Sequence, residues 1–257
     1  DGATDAPDGN ADGNITMADP STIQTEEGNI TLDATNGTVT HIVNANSDGD
    51  GVRGDVAITA RGTAGIQDTG ASALITADDV NLTSGGDIGS LANPINMTAN
   101  SLTAAITGLG NMFFSAMGDI LINLSAPAGD IDFTGTGNIT VGLASARAGH
   151  VLLSAGLSIL APVPSGTTLR IFARDFIRLL ANGGTIGTPS DALRTHMLSE
   201  TPIQVFATGS VDALSIHLIG NLLPRTALSF LTSPPPGLAL FLFRAGGGIL
   251  GGQNITN

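Results

Sequence analysis

The chain has 257 residues with 35 Gly, 12 Pro, no Cys, no Trp and no Tyr, and its formal net charge is −13. That charge argues against nucleic acid and anionic membranes as partners, and the missing Cys excludes a disulfide scaffold or a thiolate metal site. Hydrophobic residues make up 42%, too many for a disordered chain, and Ile, Leu, Val and Ala dominate them, which suits a narrow, layered core.

All nine basic residues are Arg. The acidic excess is mainly Asp, a turn residue that a chain of many short strands collects at its corners. Residues 1–13 read as a flexible, Asp/Gly-rich lead-in. The sequence opens at Asp1 without a signal peptide, so it reads as a processed or excised piece.

From Asn14 onward, short runs of alternating apolar and polar residues end in Gly, Asn or Asp turns. Examples are 29–34, 55–60, 80–83, 119–124, 130–133, 138–141 and 150–153. Such alternation marks strands with one buried face. Strand starts near 54, 78, 99, 118 and 137 are spaced by roughly 19 to 24 residues, the length of one turn of a β-solenoid. Residues 14–220 are therefore expected to form an all-β parallel solenoid of about a dozen short coils, a rod of roughly 55–60 Å.

A duplication supports this reading. Gly85-Gly86-Asp87-Ile88-Gly89-Ser90 recurs as Gly183-Gly184-Thr185-Ile186-Gly187-Thr188, and Pro94-Ile95 recurs as Pro202-Ile203. The offsets, 98 and 108 positions, imply a ten-residue insertion around 190–200 in the second copy. Its segment Asp191–Leu198 is read as one or two helical turns on the flank.

The last part, 221–257, is an apolar segment. Its longest candidate membrane stretch, 237–243, is seven residues beside Pro234-Pro235-Pro236 and Arg244, against the roughly 20 apolar residues that a helical span needs. Leu238, Leu240, Phe241 and Phe243 lie in a strand pattern buried on both faces. The strand either closes the protein's own core or joins the next subunit by strand addition.

Chemistry-bearing constellations are sparse. Eight Asn-x-Ser/Thr sequons occur, at Asn14, Asn29, Asn36, Asn81, Asn96, Asn123, Asn138 and Asn254. They are candidate glycosylation sites or, in the alternative, the product of strand alternation with Asn at turns. Asp48 and Asp50 with Asp55 nearby, and Asp5, Asp8 and Asp12, offer carboxylates in Gly loops, so Ca2+ is the one cofactor candidate. Neither segment matches an EF-hand loop or a Gly-Gly-x-Gly-x-Asp nonapeptide. Asp130 and Asp132 share a strand face and Asp119 is expected to stack on them, the minimum for a solenoid hydrolase or lyase. Without Lys or Tyr, no residue is assigned a catalytic role. His41, His150, His196 and His217 have no metal-ligand spacing and read as ordinary strand or turn residues.

At Gly86-Asp87-Ile88-Gly89 … Asn93-Pro94-Ile95, and again at Gly184-Thr185-Ile186-Gly187 … Thr201-Pro202-Ile203, the chain resembles the repeats of filamentous-haemagglutinin-like giant bacterial adhesins. The strands at Asp55, Asp119 and Asp130 share the style, and the likeness covers roughly 28–220. The resemblance implies a right-handed parallel β-helix at the bacterial cell surface or outside the cell, adhesive or fibre-forming. The expectation is a structural subunit that stacks end to end with copies of itself into a fibre, sheath or adhesin stalk. The alternatives are a monomeric adhesin module for a glycan or host receptor and, last, a polysaccharide lyase or hydrolase.

Overall fold

The computed structural model describes residues 13–18, 21–40, 42–46, 49, 51–68, 70, 72–164, 168–188, 191, 193–197, 203–207, 214–218, 229–230 and 241–245. Among the described residues the first strands are β1 (Ile15–Thr16) and β2 (Thr22–Gln24). β3 (Ile30–Ala34), β4 (Gly37–Thr40) and β5 (Ile42–Asn44) form the next coil, followed by β6 (Val56–Ala60), β7 (Gly65–Asp68) and β8 (Leu74–Thr76). Two-strand coils then follow: β9 (Asp79–Ser84) with β10 (Ile95–Thr98), and β11 (Ser101–Ile106) with β12 (Met112–Ala116). β13 (Ile120–Ser125) with β14 (Ile131–Gly135) and β15 (Ile139–Ala146) with β16 (Val151–Ala155) continue the series. Beyond them lie β17 (Ile159–Leu160), β18 (Ile171–Ala173), β19 (Ile177–Ala181) and β20 (Leu193–Met197). β21 (Ile203–Ala207), β22 (Leu214–Leu218), β23 (Ser229–Phe230) and β24 (Phe241–Ala245) complete the set.

Every strand pairs parallel with its counterpart one coil away. One sheet runs β2-β5-β8-β10-β12-β14-β16-β19-β21-β23. The other runs β3-β6-β9-β11-β13-β15-β18-β20-β22-β24, with β17 also on β15. A short third sheet, β1-β4-β7, continues through the bridges Ile66–Ile88 and Ile88–Met112 into β12. The result is an all-β parallel solenoid of about eight turns.

The count is lower than a dozen because the coils lengthen. Leu102 pairs with Ile122, twenty positions on, whereas Val151 pairs with Ile177 and Ile177 with Ile203, each 26 positions on. The extra residues leave the strand path and return to it. β15 is one continuous strand, but its partners in the next coil are two pieces, β17 against Ile139–Thr140 and β18 against Ala144–Ala146.

The same geometry corrects the insertion near 190–200. Residues 193–197 are no flanking helical turn. They are β20, paired between β18 and β22. The two copies of the Gly motif do share local structure. Gly89 (φ 68°) and Gly187 (φ 70°) are both left-handed, as a side-chain-bearing residue rarely is. The Ser90 N–H donates to the Asn93 carbonyl and the Thr188 N–H to the Asp191 carbonyl, at 2.9 and 3.2 Å. Each excursion starts from a bridged Ile, Ile88 or Ile186, and returns at Ile95 or Leu193 after the same seven positions. Within the excursion, the local match of Ile95 is thus Leu193. Ile203 begins β21, on the same sheet as Ile95 in β10, whereas Leu193 begins β20 on the other sheet.

Inward side chains form columns along the axis. Met112, Ile131, Val151 and Ile177 make one, and Phe114, Phe133, Leu153 and Leu179 another, all buried. Phe114 and Phe133 meet with ring centroids 6.0 Å apart. Aliphatic side chains dominate this core because each layer is a single strand spacing thick, and the two buried rings fit by tilting against each other at 46°.

Glycine columns let the corners approach. A Cβ on Gly129 would fall against the Gly110 carbonyl, and one on Gly149 against Gly129 and the Asp130 carboxylate. Gly28 begins its column and would meet only Thr25 side-chain atoms at 3.4 Å or more. Gly129→Ala is expected to lower stability by about 1–3 kcal/mol, the usual overpacking range. Gly28→Ala should stay within about 0.5 kcal/mol. Urea titration of both variants measures the contrast; equal effects would show that the Gly129 corner is not close-packed.

Candidate functional site

The recurring Gly-Asx-apolar triplet positions nearly every polar group of interest. In it the Gly turns the corner, the polar residue stands at the corner, and the apolar residue starts the buried strand. The corner residue of one coil accepts the backbone N–H of the corner residue in the next. Asn138 N–H donates to Asp119 Oδ1 at 2.7 Å, Ser158 N–H to Asn138 Oδ1 at 3.1 Å, and Thr185 N–H to Ser158 Oγ at 3.0 Å. A second ladder links Asp87, Asn111, Asp130 and His150, with N–H to Oδ1 distances of 2.7, 2.9 and 2.9 Å. A third starts at Asn29, whose Oδ1 takes the Asp55 N–H at 2.8 Å. Asp55 Oδ1 takes the Asp79 N–H at 3.3 Å, and Asp79 Oδ1 the Ser101 hydroxyl at 2.6 Å. In the reverse direction, the first strand residue donates to the next corner's carbonyl, as Ile120 does to Asn138 and Ile131 to His150, both at 2.9 Å.

These ladders absorb several residues expected to be sites. Asn14 Oδ1 accepts the Gly37 N–H at 2.9 Å, and Asn29 and Asn138 are rungs. Asn138 Nδ2 also donates to both Asp119 oxygens at 3.0 Å. Its backbone and side-chain N–H groups together hold the Asp119 carboxyl below its ordinary range. The Asn96 amide donates to Asp68 at 3.5 Å. Asn36 is half-buried at a corner, its carbonyl accepting the Gly62 N–H. Asn81 and Asn123 stand on the outer face of the longer sheet, Asn81 exposed and Asn123 half-buried. Asn254 lies outside the described residues, as do Asp48, Asp50 and His41. Asp55 is a rung, and among the described residues no set of three His, Asp or Glu is arranged to hold a metal ion.

Asp119 does not stack on Asp130. It immediately precedes a strand of the longer sheet, while Asp130 immediately precedes one of the other, and each has its own ladder. Asp130 and Asp132 do come together, around His150. The imidazole places Nδ1 3.0 Å from Asp130 Oδ1 and Nε2 2.8 Å from Asp132 Oδ1, and the ring stacks on Phe176 at 4.3 Å and 8°. Burial alone would push the His150 pKa down. The hydrogen bond to Asp132 and the charges of Asp130, Asp132 and Asp175 outweigh it, and the net shift is upward. An imidazole engaged at both nitrogens by carboxylates is, when protonated, an ionic clamp across adjacent coils, its single positive charge shared between the two acids.

His150 was missed as anything but a turn residue, although Gly149-His150-Val151 fits the corner triplet with His in the Asx place. His196 and His217, far apart in sequence, are adjacent in register. Phe241 and Phe243 lie in β24, the last strand of its sheet, whereas Leu238 and Leu240 fall outside the described residues. Among the described residues β3 and β24, the two ends of that sheet's path, are each paired on one side only.

Set against known proteins, the chain matches no protein-family model, no curated protein and no solved structure.

Two outcomes follow from this geometry. Asn138→Ala, which removes a rung, is expected to lower stability by about 1–2 kcal/mol. Asn81→Ala should stay near zero, and denaturant midpoints decide between them. For His150, a folded-state pKa above the ordinary value of 6.5 means its stabilisation is complete below that pH and is lost as pH rises through the higher folded value. The gap in melting temperature between wild type and His150→Gln should therefore be larger at pH 5.5 than at pH 8.5. A gap independent of pH would show that the clamp carries no charge.

Proposed function

We propose that the chain is an extracellular structural subunit, a β-solenoid that stacks end to end with copies of itself into a fibre, sheath or adhesin stalk. The observation that carries this reading is the pair of sheet edges at β3 and β24, where a long parallel ladder stops with one side unpaired among the described residues. An edge of this kind is a template for a further strand. The likeness of the Gly-Asp-Ile-Gly repeats to filamentous-haemagglutinin-like adhesins supports the surface location. The charge distribution supports end-to-end contact. Residues 1–160 hold 18 acidic residues against three Arg, net −15, and residues 161–257 hold four against six, net +2.

A second reading, a monomeric module that binds a glycan or host receptor, is favoured by one surface. On the outer face of the β12–β19 strands, Phe113, Leu152 and Leu180 stand half-exposed among Asp132 and Arg178.

Negative-stain electron microscopy of the purified chain, with and without a chelator, separates the two. Fibres with a regular axial repeat are expected, and their loss on chelation would add a Ca2+ joint at the Asp-rich loops. Isolated short rods in both conditions would contradict the stacking reading and favour the module.

A further inference from the structure

Following one register position through the longer sheet gives a specific geometry for the joint. The position begins at Asp33 in β3 and passes to Thr59 and then Thr83. It continues through Ala105, Ser125, Ser145 and Phe172. It ends in a basic run, His196, His217 and Arg244 in β24. One edge of the sheet therefore carries a carboxylate at the position where the other edge carries an Arg. The neighbouring position is apolar at both ends, Leu32 in β3 and Phe243 in β24, and along the way only the buried Thr195 is polar. Asp33 is exposed and is bonded by the Arg61 guanidinium, one contact at 2.8 Å. That bond holds its carboxyl below the ordinary range. Arg61 follows β6, on the side of Asp33 away from the sheet edge.

We propose that β24 of one copy adds as a parallel strand to β3 of the next, in the register that sets Arg244 beside Asp33, so that the assembly is head-to-tail and polar. This rests on the stacking reading above and adds its polarity and register. In that arrangement Leu32 continues the apolar position of Phe243, Ala34 continues that of Ala245, and Asp33 stands between Arg61 of its own chain and Arg244 of its neighbour. A head-to-head joint would instead bring two β3 edges and two Asp33 together, and a tail-to-tail joint two Arg244, arrangements that like charges at adjacent positions disfavour. The ten strands on the path from β3 to β24 set an axial repeat of about 48 Å at about 4.8 Å each.

The absence of any native Cys makes the register directly testable. Parallel neighbours sit about 4.8 Å apart, inside the Cα separation that a disulfide spans. Asp33→Cys and Arg244→Cys chains, mixed and oxidised, are expected to give a covalent dimer that neither gives alone. Thr31→Cys mixed with Arg244→Cys, two positions out of register, should give at least about tenfold less, because Cα atoms more than about 7 Å apart do not bridge. The unmodified chain supplies an independent check through the 48 Å repeat and the polarity of its fibres. Fibres that form without the mixed-pair dimer, that cross-link through Asp33→Cys alone, or that are bipolar would overturn the register and leave stacking intact. Absence of any assembly of the unmodified chain, by sedimentation and microscopy, would overturn stacking and this joint together.

Discussion

The structure depends on one interaction, the bond between a corner residue's side-chain oxygen and the backbone N–H of the corner residue in the next coil. A parallel solenoid must turn at each corner without leaving polar groups unpaired, because the turning backbone has no sheet partner in the usual sense. Asp and Asn meet that need, with an oxygen at the right reach and a preference for turns. Glycine before them removes the Cβ that would collide with the coil below, as at Gly129 and Gly149. The apolar residue after them starts the buried strand. Three adjacent residues thus set the turn, the stacking distance and the core, and their repetition along the axis sets the fold.

Where the triplet changes, the molecule changes. Past the Asp119–Asn138 rungs the corner becomes Ser158 and then Thr185, with shorter side chains and longer coils. On the other ladder Asx gives way to His150 and then to Phe176, which takes the next corner by stacking. The charge follows the same axis, acidic in the early coils and basic in the late ones. A rod with such a gradient presents dissimilar ends, which disposes it to polar rather than symmetric association.

Most of the fold was legible in the sequence because its signal is local. Alternation at 55–60, 119–124 and 130–133 identified strands, and the spacing of 19 to 24 residues matches the register steps from β6 through β9, β11, β13 and β15. The misreadings came from features that sequence does not tie to position. Gly183–Gly187 repeats Gly85–Gly89, yet Ile88 is bridged to Met112 and Ile186 to Ile159, on different sheets, and only pairing shows that the second excursion closes at Leu193. Ending it at Pro202-Ile203 hid β20. The His150 clamp was missed because Asp130, Asp132 and Phe176 meet it across coils of 20 and 26 residues, offsets fixed only once the register is known. The alignment of Asp33 with Arg244 is a sum of nine such offsets.

Backbone hydrogen exchange at the corners tests the central claim most directly. If the ladders hold the coils, the N–H groups of Asn111, Asp130, Asn138 and His150 are as protected as those of central strands such as Ile120–Ser125, although they lie in turns. They would then exchange only through cooperative opening of the rod. Exchange at these four positions as fast as at the exposed Leu91 and Leu109 turns would contradict the account. It would leave the stack held by its apolar columns alone.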